Sequence, residues 1–175
     1  RDQNDLDFLT GSAKYDAVYI ADTHKEFSYR VPYATHRSSI VIGSSGLVPR
    51  AWHWSYLRHG APQVHGRFER MHKRRMTEED WAAWVAMRAV AEALVRFKDN
   101  ENFSFSDAFV NENFKLDGSK GPILNFRPWN RQLRQPIMLS TENWVTSIAP
   151  LNSFVHRENN LDTIGMDNKT SKCAN

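Results

Sequence analysis

Two short apolar runs, each followed by a polar loop, constrain the fold of this chain most strongly. Residues 15–22 and 40–43 are rich in Val, Ile and Tyr, which favour strands. Continuous apolar runs are typical of strands that are covered on both faces, as in parallel sheets. We expect a helix over residues 49–59 after the second run, with Pro49 in its first turn. This alternation predicts an α/β fold with a mostly parallel sheet.

A longer helix is predicted from residue 77 onward. Thr77 and Asp80 have the spacing of a capping box. Apolar residues then recur three and four positions apart, which predicts one stripe packed against the core. The stripe consists of Trp84, Met87, Ala91, Leu94 and Val95. Trp81 lies in the first turn and could face either the core or a cleft.

The second half of the chain has weaker patterns. A short helix is expected near residues 103–109, and a turn over residues 117–122. Residues 123–126 and 136–140 are predicted to be strands. From residue 149 onward the chain is polar, and we expect an irregular tail.

Composition places the chain among ordinary globular proteins. Of 175 residues, 41% are apolar and 25% are charged, and the net charge of +3 is too small to indicate a nucleic-acid partner. No stretch approaches the roughly 18 apolar residues of a membrane helix, so we expect a chain that does not span a membrane. The basic segment 66–76 is either the solvated face of a helix end or a phosphate-binding patch.

The sequence contains no recognisable catalytic motif. Gly43 and Gly46 enclose two serines but lack the spacing of a nucleophile elbow. Four histidines between residues 53 and 72 are six or seven positions apart, whereas a helical metal pair usually needs three or four. We therefore expect no enzyme activity, no catalytic residues, no metal and no cofactor.

A ligand site is predicted where the two strands end. In α/β sheets, ligands bind beyond the carboxyl ends of the strands, and aromatic side chains often line such sites. The first loop supplies Asp22, Thr23 and His24. The second supplies Ser44 and Ser45, with Trp52 close behind.

Several segments resemble one family of binding proteins. These segments are residues 15–22 with Glu26-Phe27 and Val31-Pro32-Tyr33, residues 46–54, residues 75–84 with the helix after them, residues 126–137, and Leu161-Asp162-Thr163-Ile164-Gly165-Met166-Asp167. The most specific is Phe126-Arg127-Pro128-Trp129-Asn130-Arg131-Gln132-Leu133-Arg134-Gln135-Pro136-Ile137. From residue 14 to residue 173, the chain resembles the second half of a periplasmic solute-binding protein of the branched-chain amino-acid type. Within that class it is similar to the substrate-binding protein of a PQQ-dependent alcohol dehydrogenase system.

The resemblance implies a bilobed fold with three-layer α/β/α lobes and a mostly parallel sheet. Residues 1–66 would form part of the second lobe, 67–100 a crossing helix, 101–148 closing strands and a hinge crossing, and 149–175 the tail. The first lobe would precede Arg1, and the partner of Cys173 would lie in that missing half.

The resemblance also implies a non-enzymatic, periplasmic small-molecule binding protein that serves an ABC permease or a quinoprotein dehydrogenase. By family position, Trp52, Trp81 and Trp84 would join the two loops at the ligand. The acidic residue expected in the second loop is missing, which leaves a carboxylate, an alcohol or a quinone-type ligand open. The alternative is a structural or interaction subunit docked on a dehydrogenase or a membrane complex, with the basic stretches 67–75 and 127–134 facing an acidic partner.

Overall fold

The computed structural model describes residues 2–24, 28, 30–44 and 47–171. The chain forms two compact units. Unit 1 consists of Arg1–Arg50 and Met138–Ser147, and unit 2 consists of Ala51–Ile137 and Ile148–Asn175.

Unit 1 contains one parallel pair of strands, β1 (Ala17–Ile20) and β2 (Ile40–Gly43). Helices α1 (Asp2–Gly11) and α2 (Val31–Ala34) belong to the same unit. One small core forms from Ile20, Val31 and Val41, with Leu6 and Val18 packed against it. Strand side chains alternate between faces, and Tyr19, on the other face of β1, is 73% exposed.

A second sheet follows the order β3 (Val48–Arg50), β7 (Ile137–Ser140) and β8 (Val145–Ala149). Pro49 lies in β3 opposite Leu139 of the antiparallel strand β7. The helix predicted over residues 49–59 is therefore wrong, because its expected first-turn proline belongs to an edge strand. Proline is tolerated there because an edge residue need not donate to a neighbouring strand.

Two helices begin unit 2, α3 (Ala61–His72) and α4 (Glu78–Phe97). The predicted capping box of α4 is confirmed, with Thr77 and Asp80 each accepting a hydrogen bond from the other's backbone N–H. The predicted core stripe is wrong, since Met87 is 69% and Val95 76% exposed. The buried face instead consists of Trp81, Val85, Ala89 and Ala93.

The rest of unit 2 is a short helix and a small antiparallel sheet. Helix α5 (Phe105–Val110) and strand β5 (Ile123–Phe126) confirm the local predictions. The sheet order is β4 (Leu116–Asp117), β5 and β6 (Leu133–Arg134). Phe109, Phe114 and Phe126 pack against one another with ring centroids 5.2–5.7 Å apart. The 3₁₀ helices Asn160–Thr163 and Asn168–Thr170 follow β8.

The expected three-layer fold with a mostly parallel sheet is wrong. The structure has 34% helix and 18% strand, and among the described residues the parallel sheet is a short pair of strands whereas the other sheets are antiparallel. The connections from β4 to β5 and from β5 to β6 are too short for the crossover that parallel strands need. The apolar run of β1 is also not covered on both faces, because Tyr19 is exposed.

Candidate functional site

The two loops predicted to bind a ligand meet in unit 1. The backbone N–H of Asp22 donates to Oγ of Ser44 at 2.8 Å, and Oδ2 of Asp22 accepts from the backbone N–H of Ser28 at 3.0 Å. Asp22 is buried, and its carboxylate is engaged with the backbone of the chain. Thr23 and His24 are exposed, and Ser45 lies outside the described residues.

The three predicted tryptophans belong to unit 2. Trp52 and Trp81 are both buried, and their rings stack with centroids 6.1 Å apart and planes 10° from parallel. Nε1–H of Trp81 donates to the carbonyl of Gly118 at 3.1 Å. Trp84 is half-buried, with the Arg88 guanidinium 5.5 Å from its ring centre. The Trp52–Trp81 pair therefore belongs to the core of unit 2.

Unit 2 contains a cavity of about 690 Å³, within the usual range for small-molecule sites. Its polar lining consists of Tyr56, Arg58, His59, Lys120, Asn125, Glu158, Asn159 and Asn160. Its apolar lining consists of Pro122, Ile123, Pro136, Ile148, Pro150 and Leu161. Arg58, His59 and Glu158 are exposed, whereas Tyr56, Lys120 and Pro136 are buried. The cavity therefore combines a charged rim with a buried cation and an apolar wall.

Lys120 is the buried charged residue of this lining, only 1% exposed. Its Nζ donates to Oε1 of Gln135 at 2.5 Å and to the carbonyl of Pro136 at 3.3 Å. The same Nζ lies 3.6 Å from the centre of the Trp81 ring. Among the described residues, no carboxylate pairs with Lys120 within 4.0 Å.

Burial dominates the ionisation of this amine. Desolvation lowers the pKa of Lys120 to about 7, against a smaller opposing effect of the Glu78 carboxylate. The two hydrogen bonds, the ring face and the Glu78 charge favour the ammonium form, but burial outweighs them. The amine and ammonium forms are thus both populated near neutral pH.

The backbone around Lys120 is unusual. His59, Ser119 and Gly121 all have positive φ, at 55°, 57° and 106°. A Cβ at Gly121 would lie 2.6 Å from Nε2 of His59, so the His59 ring packs directly on the loop that carries Lys120. For the non-glycine residues His59 and Ser119 such a conformation persists only where the surroundings enforce it, and conformations of this kind cluster at binding sites.

A buried ion cluster holds one wall of the cavity. Oδ1 of Asp162 accepts from Nε of Arg127 and from Nε of Arg134, both at 2.7 Å. Arg127 also donates through Nη2 to the carbonyls of Leu161 and Ile164, at 2.8 and 2.6 Å. The wall residues 158–161 directly precede Asp162, so the cluster fixes them to the β5–β6 turn.

The same cluster sets the ionisation of Asp162. Burial alone would raise the pKa of this carboxyl group, but the hydrogen bonds from Arg134 and Arg127, together with their charges, lower it.

Trp129 adds a further link between the two segments, because its Nε1–H donates to the carbonyl of Met166 at 3.1 Å. The unusual Arg-Pro-Trp segment thus anchors the segment that contains Leu161 and Gly165.

Sequence reasoning missed the cavity and Lys120. Lys120 lies in a turn of Gly, Ser, Asp and Pro, where a lysine is normally solvated. The density of turn residues around Lys120, including Gly118 and Gly121, was the sequence signal that could have pointed to this loop. A Cβ at Gly118 would lie 2.4 Å from Cδ1 of Leu124, and one at Gly60 would lie 2.8 Å from Oγ of Ser119.

The described residues contain neither a metal-binding cluster nor a membrane-spanning helix. No group of three or more His, Cys, Asp or Glu side chains there could hold a metal ion. Within the same residues, no helix is long and apolar enough to cross a membrane.

Cys173, for which the resemblance implies a disulfide partner in a missing half, lies outside the described part of the chain.

Comparisons of this chain with protein-family models, with curated proteins and with solved structures found no match.

Proposed function

We propose that this chain is a small-molecule binding protein whose ligand occupies the cavity of unit 2. The observation that carries the proposal is the cavity itself, which has ligand-sized volume and places buried Lys120 beside an apolar wall. The charged rim provides polar contacts, and the apolar lining provides contact with a short carbon chain.

The wider setting of this proposal comes from the resemblance described above. It makes the chain a periplasmic, ABC-transporter type component of a system for PQQ-dependent alcohol oxidation, with a permease or a quinoprotein dehydrogenase as partner. Arg127 comes from the most specific segment of that resemblance and Asp162 from another of its segments, and the two residues form one buried ion pair. Because this ion pair holds the wall of the cavity, one structural role explains why both segments are present.

Amide NMR spectra during titration with 1-butanol and with butanoate test this proposal. We expect saturable shifts at Asn125, Asn159 and Lys120 with at least one probe. Ile123→Trp, which places a large ring at the cavity lining, should abolish them. Leu57→Trp is the matched control, because Leu57 is also exposed and aliphatic but is not part of the lining. Shifts that never saturate, or that persist in Ile123→Trp, would contradict a ligand in this cavity.

A second candidate function is docking to an acidic partner. Arg67, Arg70 and Lys73 are exposed at the C-terminal end of α3. Arg127 and Arg134, by contrast, are engaged with Asp162, so of the three arginines in the basic stretch 127–134 Arg131 alone is exposed. The α3 segment therefore supports this candidate better than the stretch 127–134.

Binding to immobilised polyglutamate at low and at high salt tests the docking candidate. Contacts between exposed charges are screened by salt, so retention should fall at high salt. Replacing Arg67, Arg70 and Lys73 with Gln should remove retention, whereas the same change at the exposed Lys98, Lys115 and Lys169 should not. Equal loss in both triple variants would indicate net charge alone and would reject a specific surface.

A further inference from the structure

Lys120 has the environment of a nucleophilic amine rather than that of an ordinary ion-pair partner. Its side chain is buried, no described carboxylate lies within ion-pair distance, and its residue lines a cavity large enough for an organic ligand. A neutral amine carries two N–H bonds and one lone pair. Gln135 and Pro136 supply two acceptors, which satisfy both N–H bonds and leave the lone pair.

We propose that Lys120 captures an aldehyde or ketone ligand as a reversible imine within the cavity. The inference rests on the proposed function and names the ligand class for that site. The Nζ lone pair attacks the carbonyl carbon, and a proton moves from nitrogen to oxygen to give a carbinolamine. Loss of water then forms the C=N bond, and addition of water returns the amine and the carbonyl compound. No oxidant or reductant takes part.

The surroundings favour this chemistry. Lysines that form imines are activated by desolvation, which leaves the amine free of its proton. Pro122, Ile123, Ile148 and Leu161 provide an apolar wall for the carbon chain of the ligand. The Trp81 ring covers Nζ from one direction, which limits the access of water to the nitrogen.

A purely structural role for Lys120 is the competing explanation. Its ammonium form could simply link the turn at Gly118–Gly121 to Gln135 and Pro136. Lys120→Arg separates the two roles, because arginine keeps the positive charge and the hydrogen-bond donors but does not form an imine under these conditions. Lys115→Arg is the matched control, since Lys115 is exposed in the same part of the chain.

The experiment traps the imine with butanal and sodium cyanoborohydride at pH 7, followed by peptide mapping. We expect one butyl group on Lys120, at a rate at least about tenfold above that on Lys115 of the same molecules, because little of an exposed lysine is deprotonated at this pH. Lys120→Arg should lose this label, and Lys115→Arg should keep it. The comparison of two sites within the native protein does not depend on the folding of any variant.

Failure of the inference is distinguishable from failure of the proposed function. Labels spread over exposed lysines with Lys120 unmodified would overturn imine capture. If butanol or butanoate still gave saturable shifts in that case, the cavity would remain a non-covalent binding site. Absence of both the label and the shifts would reject the two proposals together.

Discussion

The Nζ atom of Lys120 lies 3.6 Å from the centre of the Trp81 ring, which itself stacks on Trp52. A cation over an indole face is attracted by the negative face of the ring. Trp81 is therefore both part of the core of unit 2 and the surface against which the Lys120 amine rests. Changes to this ring should affect stability and the cavity together.

Trp81→Phe should destabilise the protein by about 1–3 kcal/mol. The substitution keeps a ring in the core but leaves the buried carbonyl of Gly118 without the indole N–H that now donates to it. Chemical denaturation followed by circular dichroism measures the effect. Trp144→Phe is the control, because Trp144 is 59% exposed and its replacement should change the free energy of unfolding little. Equal effects of the two substitutions would contradict the assigned role of Trp81.

Asp162→Asn should reduce stability by about 3 kcal/mol or more. The substitution removes the charge that compensates buried Arg127, and an uncompensated buried charge is costly. The same variant should weaken the NMR shifts caused by butanol or butanoate, since residues 158–161 form a cavity wall. Glu112→Gln, at an exposed position, should do neither. Denaturation and titration of both variants check the prediction, and unchanged stability of Asp162→Asn would refute it.

The protein should become more stable as pH rises from about 7 to 10.5. In this range Lys120 is mainly neutral in the folded protein and mainly protonated in the unfolded chain. The pKa of Lys120 is lowered from 10.5 to about 7 in the folded state. Between these values the unfolded chain binds more protons, so unfolding becomes harder as pH increases. Below about pH 7 both states are protonated and this contribution no longer changes.

Lys120→Met isolates that contribution from the other titrating groups near the amine. Glu78 acts on Lys120 from α4. Tyr56, Arg58, His59 and Glu158 line the same cavity. Relative to Lys120→Met, the wild type should gain up to about 1.4 kcal/mol per pH unit between pH 7 and pH 10. Lys115→Met should follow the wild type, and parallel curves for wild type and Lys120→Met would contradict the lowered pKa.

Local features of this fold were predictable because neighbouring residues determine them. Thr77 and Asp80 define the start of α4 by their own hydrogen bonds, and β5 follows from its apolar run. The face of α4 was not predictable in this way. The alanines at positions 89 and 93 are buried because small side chains allow close packing, while larger apolar residues beside them remain exposed.

The candidate site in unit 2 could not be predicted from the sequence, because it depends on contacts between residues that are far apart along the chain. Arg127 and Asp162 are 35 positions apart, and Lys120 becomes buried only because Gln135, Pro136 and Trp81 surround it. The residues next to a lysine in a glycine-rich turn do not show that its side chain will be buried. The loops at Asp22 and Ser44 were brought together as parallel strand ends predict, yet Asp22 is occupied with the backbone of Ser28.

Gly118→Ala should destabilise the protein by about 1–3 kcal/mol and disturb the cavity. Its Cβ would lie 2.4 Å from Cδ1 of Leu124 and 3.3 Å from the Trp81 ring, and both side chains are buried, so neither can move without disturbing the core. Gly66→Ala is a matched control within α3, where the nearest atom would be 3.6 Å away. That change should stabilise the protein by about 0.5–1 kcal/mol, since alanine favours a helix over glycine. Denaturation measures both variants, and opposite signs are expected because only Gly118 lies against packed side chains. A neutral Gly118→Ala would show that the loop carrying Lys120 can move away from Leu124 and Trp81.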